Sequence, residues 1–280
     1  MLARVASPRA RHAAIDFDRL PEQLAGAGLV AVEGGDGTVM AVTTALMRAA
    51  AETGRPPPPI VLIPGGRTDL VARHLGAPRD PDAVARIVER GARARTARPL
   101  RVQHAGDVTY AWFLGTGAVP RAAAYTHEVV YGRGEKAAGS ASVAATLLGV
   151  LGNPRRFAEV TAPSAFRADL GGTPFGPDHR FMLATTLPGL MVGLDPFWGA
   201  GDAPVRVTLA RGDSAKLRRT VAAVWAGRVP KDAEARGYVS RNLGRMTYRA
   251  DGPTLIDGER RQLSGRVTVT AGGPIRFLAP

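Results

Sequence analysis

Cysteine is missing from all 280 residues. That excludes a disulfide framework, a thiolate nucleophile and any cysteine metal site, and it fits a reducing compartment. Lysine is nearly missing: Lys136, Lys216 and Lys231 are the only three among 37 basic residues. The arginine bias, with abundant alanine and glycine, reads as the mark of a GC-rich coding genome rather than of a function. Long apolar runs are absent too. The longest lies near residues 181–194 and is interrupted by Pro188, Gly189 and Gly193, too short to span a bilayer. The N-terminal stretch MLARVASPRARHAAIDF is basic but lacks an apolar segment of signal-peptide length. The expected location is therefore cytoplasmic, with peripheral contact at the inner membrane face left open.

What is present is an ordinary globular composition, 45% hydrophobic with a net charge of +13. The length allows one large or two ordinary domains, each with its own core. The charge favours anionic partners, such as nucleotide phosphates or an acidic membrane surface, against the plainer reading of a solvated arginine-rich surface. Nucleic acid is not expected. No run of consecutive Lys/Arg forms a tail, and aromatics are not interleaved with basic residues.

Two similar units open the chain. Residues 29–32 are a short apolar run ending at glycines, and Val39, Val42, Leu46 and Met47 follow at helical spacing. After the stiff linker at residues 56–59, the β-type run at 60–63 ends at Pro64-Gly65-Gly66, with Leu70, Val71, His74 and Leu75 beyond it. Apolar strands that each feed a glycine turn and a helix predict parallel strands in an α/β sheet. Residues 80–93 read as a third helix, with Val84, Ile87 and Val88 on one face. Beyond Pro99 short runs at 100–104, 110–114, 205–209, 246–249, 267–270 and 275–278 predict an antiparallel β domain. Helices are expected within it at 140–151 and 216–225. The division is placed at residues 1–98 and 99–280.

The stretch AVEGGDGTVMAV at residues 31–42 carries the chemistry. Glycines after a strand let backbone amides approach an anion, and the following helix adds its positive dipole end. Phosphate is the natural guest. Asp36 would repel a bare phosphate, so it either caps a helix in a tight turn, faces a divalent cation or deprotonates a hydroxyl. Thr38 could cap the helix or donate to a phosphate oxygen.

The pentapeptide Gly34-Gly35-Asp36-Gly37-Thr38 resembles the nucleotide-binding signature of the superfamily of diacylglycerol, sphingosine and NAD kinases. The G-x-x-x-x-G-K-[ST] phosphate loop is absent, so this would be a different cradle. The segment from Pro64 to Gly76 resembles the lipid-kinase stretch P-x-G-T-x-N-D-x-A-R, with Arg67 in place of the usual Thr and Asp69 in place of the usual Asn. Arg67 suits a phosphate ligand. Leu255-Ile256-Asp257-Gly258-Glu259 resembles the D-G-E element near the end of bacterial diacylglycerol-kinase-like proteins, although alone it would read as a hairpin turn with solvated carboxylates.

The resemblance extends roughly from Leu24 to the C-terminus. Family members ordinarily carry a further strand and an Asn-Pro/Gly loop ahead of the GGDGT strand, and none is seen in residues 1–29, so a shortened first domain is expected.

The resemblance implies an α/β domain with a parallel sheet, followed by a β-rich antiparallel sandwich. It implies an ATP-dependent lipid kinase acting on a hydroxyl of diacylglycerol or a related lipid. ATP would lie on Gly34, Gly35, Asp36, Gly37 and Thr38 and on Gly65, Gly66, Arg67, Thr68 and Asp69, with Mg2+ neutralising the phosphates. Asp36, Asp257 and Glu259 are the carboxylates to take the acceptor's proton, and no protein metal ligands are assigned. A homodimer is left open. The rival readings are a non-catalytic nucleotide-, lipid- or protein-binding pseudokinase and, more distantly, an NAD kinase.

Other residues point less far. The five histidines, His12, His74, His104, His127 and His179, lack metal-ligand spacing. Trp112, Phe113, Phe197 and Trp198 suit either an acyl pocket or core packing. Ser164, Ser214 and Ser240 lack a G-x-S-x-G context.

Overall fold

A computed structural model describes residues 13–66, 69–77, 87, 93–131, 140–190, 194–229 and 231–279. The chain divides into two compact units, residues 1–99 with 272–280, and residues 100–271.

In the first unit, strands β1 (Val30–Gly34) and β2 (Ile60–Pro64) pair in parallel, Val30 opposite Ile60 and Gly34 opposite Pro64. Between them runs helix α2 (Asp36–Thr53), after a short α1 (Leu20–Leu24). Helix α2 buries Val39, Val42, Leu46 and Met47, the stripe that the sequence spacing predicts, together with Met40 and Thr43. It ends at Gly54, whose left-handed conformation (φ 67°) lets its N–H reach the Ala50 carbonyl. Helix α3 (Leu70–His74) follows β2. Strand β2 is buried along its first four residues, as an interior strand of a parallel sheet must be.

The sheet is completed from a distance. Strand β15 (Ile275–Ala279) pairs in parallel with β2, and antiparallel with β3 (Arg93–Ala97), giving the order β1-β2-β15-β3. Assigning residues 272–280 to the β-rich domain is thus corrected. Ile275 and Phe277 are almost wholly buried, and β15 has a pairing partner on each side, β2 and β3. The helix expected over residues 80–93 lies outside the described residues, except that Ile87 is helical and buried against Val61 and Ile63 and that Arg93 opens β3.

Among the described residues, the second unit holds a hydrogen-bonded antiparallel sheet of eleven strands. Its spine is β4 (Leu100–His104), β5 (Asp107–Ala111), β6 (Phe113–Gly117), β10 (Asp178–Thr185), β11 (Val205–Arg211), β12 (Tyr238–Leu243), β13 (Arg245–Ile256) and β14 (Glu259–Ala271). The short strands β7 (Ser164–Ala165), β8 (Arg167–Leu170) and β9 (Pro174–Phe175) join at β10 and β13. The run expected as one strand at 110–114 breaks at Trp112, which is fully buried between β5 and β6.

Helix α5 (Ser140–Gly152) and helix α7 (Leu217–Trp225) stand where the sequence places them. Helices α4 (Ala118–Tyr131) and α6 (Pro154–Val160) were not anticipated. The start of α6 is well signalled: Asn153 accepts from the Arg156 N–H, and Pro154 occupies the first turn. No helix among the described residues is long and apolar enough to cross a membrane.

Candidate functional site

The two glycine turns lie side by side because β1 and β2 are parallel neighbours in register. Their backbones touch. A Cβ on Gly66 would stand 2.4 Å from the Gly35 Cα, and one on Gly35 would stand 3.0 Å from the Gly66 Cα. On Gly65 a Cβ would meet the Gly34 nitrogen at 3.2 Å, and the Gly65 N–H donates to the Gly34 carbonyl. Gly34 in turn is covered by the Thr38 side chain, 2.8 Å from where its Cβ would be. Loop-on-loop packing therefore leaves no room for a side chain at Gly35, Gly65 or Gly66, and the Thr38 side chain leaves none at Gly34, before any ligand is considered.

Asp36 fastens the two turns. Its two carboxylate oxygens accept from the N–H groups of Leu70 and Val71, each at 3.2 Å, across more than thirty residues of chain. It does cap a helix, but α3 beyond the second loop rather than its own. Burial raises the Asp36 pKa above the usual carboxylate value. The Val71 and Leu70 amides and Arg73 pull the other way, and the charge of Asp69 adds to the rise.

Asp69 closes the second turn. It sits in the left-handed region (φ 46°), where Asp and Asn are the tolerated non-glycine residues, and its Oδ1 accepts from the Gly66 N–H at 2.8 Å. Asp in place of Asn keeps that acceptor. Arg67 and Thr68 lie outside the described residues.

These locks leave the start of α2 open. Gly35 is its N-cap in extended conformation, and no side-chain hydrogen bond caps that end. An 18-residue helix with its first amides beside two touching glycine turns fits a phosphate. A cation is a different matter. Among the described residues no group of three or more His, Asp or Glu side chains could hold a metal, and both Asp36 oxygens already accept amides.

The second-unit carboxylates have separate environments. Asp257 (φ 45°) and Gly258 (φ 87°) form the tight turn between β13 and β14, the Asp-Gly pairing such hairpins favour. The turn is as the sequence reads, but the Asp257 carboxylate is not solvated. It is buried, accepting from the Trp112 N–H through both oxygens (3.0 and 2.9 Å) and from the Phe113 N–H at 2.7 Å. Its own N–H donates to the Phe113 carbonyl. Glu259 is exposed and pairs with Arg261 at 2.9 Å.

The aromatics serve packing. Trp112 is buried, Phe197 lies under the Arg206 guanidinium at 4.9 Å, and Trp198 packs with Ala210, Leu217 and Tyr238. Sequence reasoning missed the Leu70 and Val71 amides, because backbone donors leave no mark on residue type. It also missed that His179 is buried beside Thr116 and Ser164.

Residues 5–100 match the family described as the diacylglycerol kinase catalytic domain. No curated protein matches the chain. Three solved structures from Bacillus anthracis str. Sterne, one described as a diacylglycerol kinase and two as putative diacylglycerol kinases, share its fold. One has 15% identity and a TM-score of 0.67, covering 96% of this chain and 85% of that one. Another has 16% identity and a TM-score of 0.63, covering 94% and 82%. A third has 12% identity and a TM-score of 0.61, covering 96% and 84%. At such identities the likeness concerns the fold.

Proposed function

Because residues 5–100 match the diacylglycerol kinase catalytic-domain family, we propose that the chain is an ATP-dependent lipid kinase-like phosphotransferase. It transfers the γ-phosphate to a hydroxyl of diacylglycerol or a related lipid. The observation that carries this reading is the paired glycine turn, held by Asp36 and open at the start of α2.

The nucleotide phosphates take the amides at the start of α2, against Gly34, Gly35, Gly37 and Thr38 on one side and Gly65, Gly66 and Asp69 on the other, with Arg67 and Thr68 as further candidate ligands. The acceptor oxygen attacks the γ-phosphorus, the bond to the bridging oxygen breaks and ADP leaves. The hydroxyl proton passes to a carboxylate among Asp36, Asp257 and Glu259. Asp36 has the raised proton affinity a base needs. Asp257 positions the backbone at Trp112 and Phe113. Magnesium arriving with ATP supplies charge neutralisation. The chain's own part is to position the reactants and hold the cradle rigid. The net charge of +13 supports work at an anionic lipid surface.

A non-catalytic binding protein is the second reading, favoured by the commitment of the Asp36 and Asp257 oxygens to backbone amides. Titration calorimetry with Mg-ATP, followed by product analysis on vesicles of different lipids, separates the two. Binding with a phosphorylated lipid supports the kinase, and binding without any product supports the second reading. Absence of nucleotide binding overturns the cradle itself.

A further inference from the structure

The second unit contains a cavity that the kinase reading does not use. Its volume is about 90 Å3, and its lining includes Thr116, Arg121, Ser164, His179, Tyr248 and Arg249. At roughly 10–15 Å3 for each ordered water, it has room for several waters or one tetrahedral oxyanion.

The wall is built with some care. His179 is buried and stacks on Phe166, ring centroids 3.9 Å apart, and Phe166 stacks in turn on Tyr248 at 5.8 Å. The imidazole Nε2 and the Thr116 hydroxyl share a hydrogen bond of 2.7 Å, and Nδ1 lies 3.3 Å from the Ser164 carbonyl. Strand β10 is bulged between His179 and Phe181, a device that re-aims side chains. Opposite the bulge stands Gly117 (φ 68°). A Cβ there would lie 2.4 Å from the Arg180 carbonyl oxygen and 3.1 Å from the His179 Nε2.

The charges do not balance within this wall. Its lining carries two arginines, Arg121 and Arg249, and one carboxylate, Asp251. Arg121 donates through Nε to the Val160 carbonyl and through Nη2 to the Ala162 carbonyl, with no carboxylate partner among the described residues. The Tyr248 hydroxyl is buried without a hydrogen bond of good geometry, although Thr254 is a polar neighbour. An orphaned buried hydroxyl costs stability unless a ligand or water takes it.

We propose that this cavity binds a small phosphate-type oxyanion, held by Arg121 and the Tyr248 hydroxyl. The site is independent of the nucleotide reading, because every residue it uses belongs to the second unit. Two sources offer this chemistry: free inorganic phosphate and the headgroup of a phosphomonoester lipid.

The test is side-chain NMR of the His179 ring, assigned through His179→Gln, during titration of the full chain with inorganic phosphate. A second arm uses vesicles of phosphatidylcholine with and without phosphatidic acid. Because the reporter lies in the cavity wall, binding at the first-unit turns does not register. Phosphate should shift the His179 signals saturably, with affinity at least tenfold weaker in Arg121→Gln and severalfold weaker in Tyr248→Phe. Tyr248→Phe keeps the ring stack and serves alone if Arg121→Gln fails to fold. A response to phosphate alone assigns the free ion. A response also to phosphatidic acid, but not to phosphatidylcholine, assigns the headgroup. No shift with either probe, or equal shifts in wild type and Tyr248→Phe, overturns the proposal.

Discussion

Asp257 shows how one residue type can carry two meanings in the same short motif. Its Asp-Gly sequence made the hairpin turn legible, since both turn positions need positive φ. Its carboxylate's partners, the amides of Trp112 and Phe113, lie far away in sequence and were not legible. Replacing it with alanine removes the carboxylate acceptor of the buried Trp112 amide and the part-buried Phe113 amide. Asp257→Ala should lower stability by roughly 3 kcal/mol, read as a reduced urea midpoint, while Asp257→Asn keeps the turn and loses less.

His179 makes a second prediction at this scale. Burial lowers its pKa from 6.5 to about 4; the Ser164 carbonyl and Asp178 oppose that drop, and Arg121 adds to it. The folded state holds the ring neutral while the unfolded chain protonates near 6.5. Its contribution is therefore fully present above pH 6.5 and is lost as pH falls toward 4, on the order of 3 kcal/mol in all. Urea unfolding between pH 7 and 4 should show that loss, and His179→Gln should flatten the difference. An unchanged slope in His179→Gln contradicts the assignment.

At the scale of elements, strands, turns and helix stripes came through in the sequence because periodicity is local. The stripe on α2 and the apolar runs of β1 and β2 are examples. What did not come through was set by distance. Asp36 caps α3 rather than its own helix, and β15 pairs with strands formed some two hundred residues earlier. The glycines were read as an anion cradle, yet their first duty is to let two backbones touch. Gly66→Ala should push the turns apart at a cost of about 1–3 kcal/mol and abolish Mg-ATP binding by calorimetry. Undiminished binding would show that the turns do not form the nucleotide site.

Strand β15 gives the second prediction for elements. Deleting residues 272–280 removes the strand between β2 and β3, together with the buried Ile275 and Phe277. The first unit should then lose cooperative unfolding, and limited proteolysis should cut within residues 13–99. A truncated chain that melts like the full one contradicts this.

For the whole molecule, the chain leaves the first unit after Pro99 and returns for its last strand. Two crossings make the first unit depend on the end of the chain, which no local pattern encodes. The fold class was nevertheless legible, because glycine turns after apolar strands and short alternating runs each mark an architecture. The reaction was less so, since residue type alone does not show that the Asp36 and Asp257 carboxylates also accept backbone amides.

The most direct measurement is transfer of label from γ-labelled ATP, with Mg2+, to lipids in mixed vesicles by the full chain. Labelled phospholipid formed by the wild type and lost in Asp36→Ala is the predicted result. Nucleotide bound, but no label on any lipid including diacylglycerol, would contradict the kinase reading.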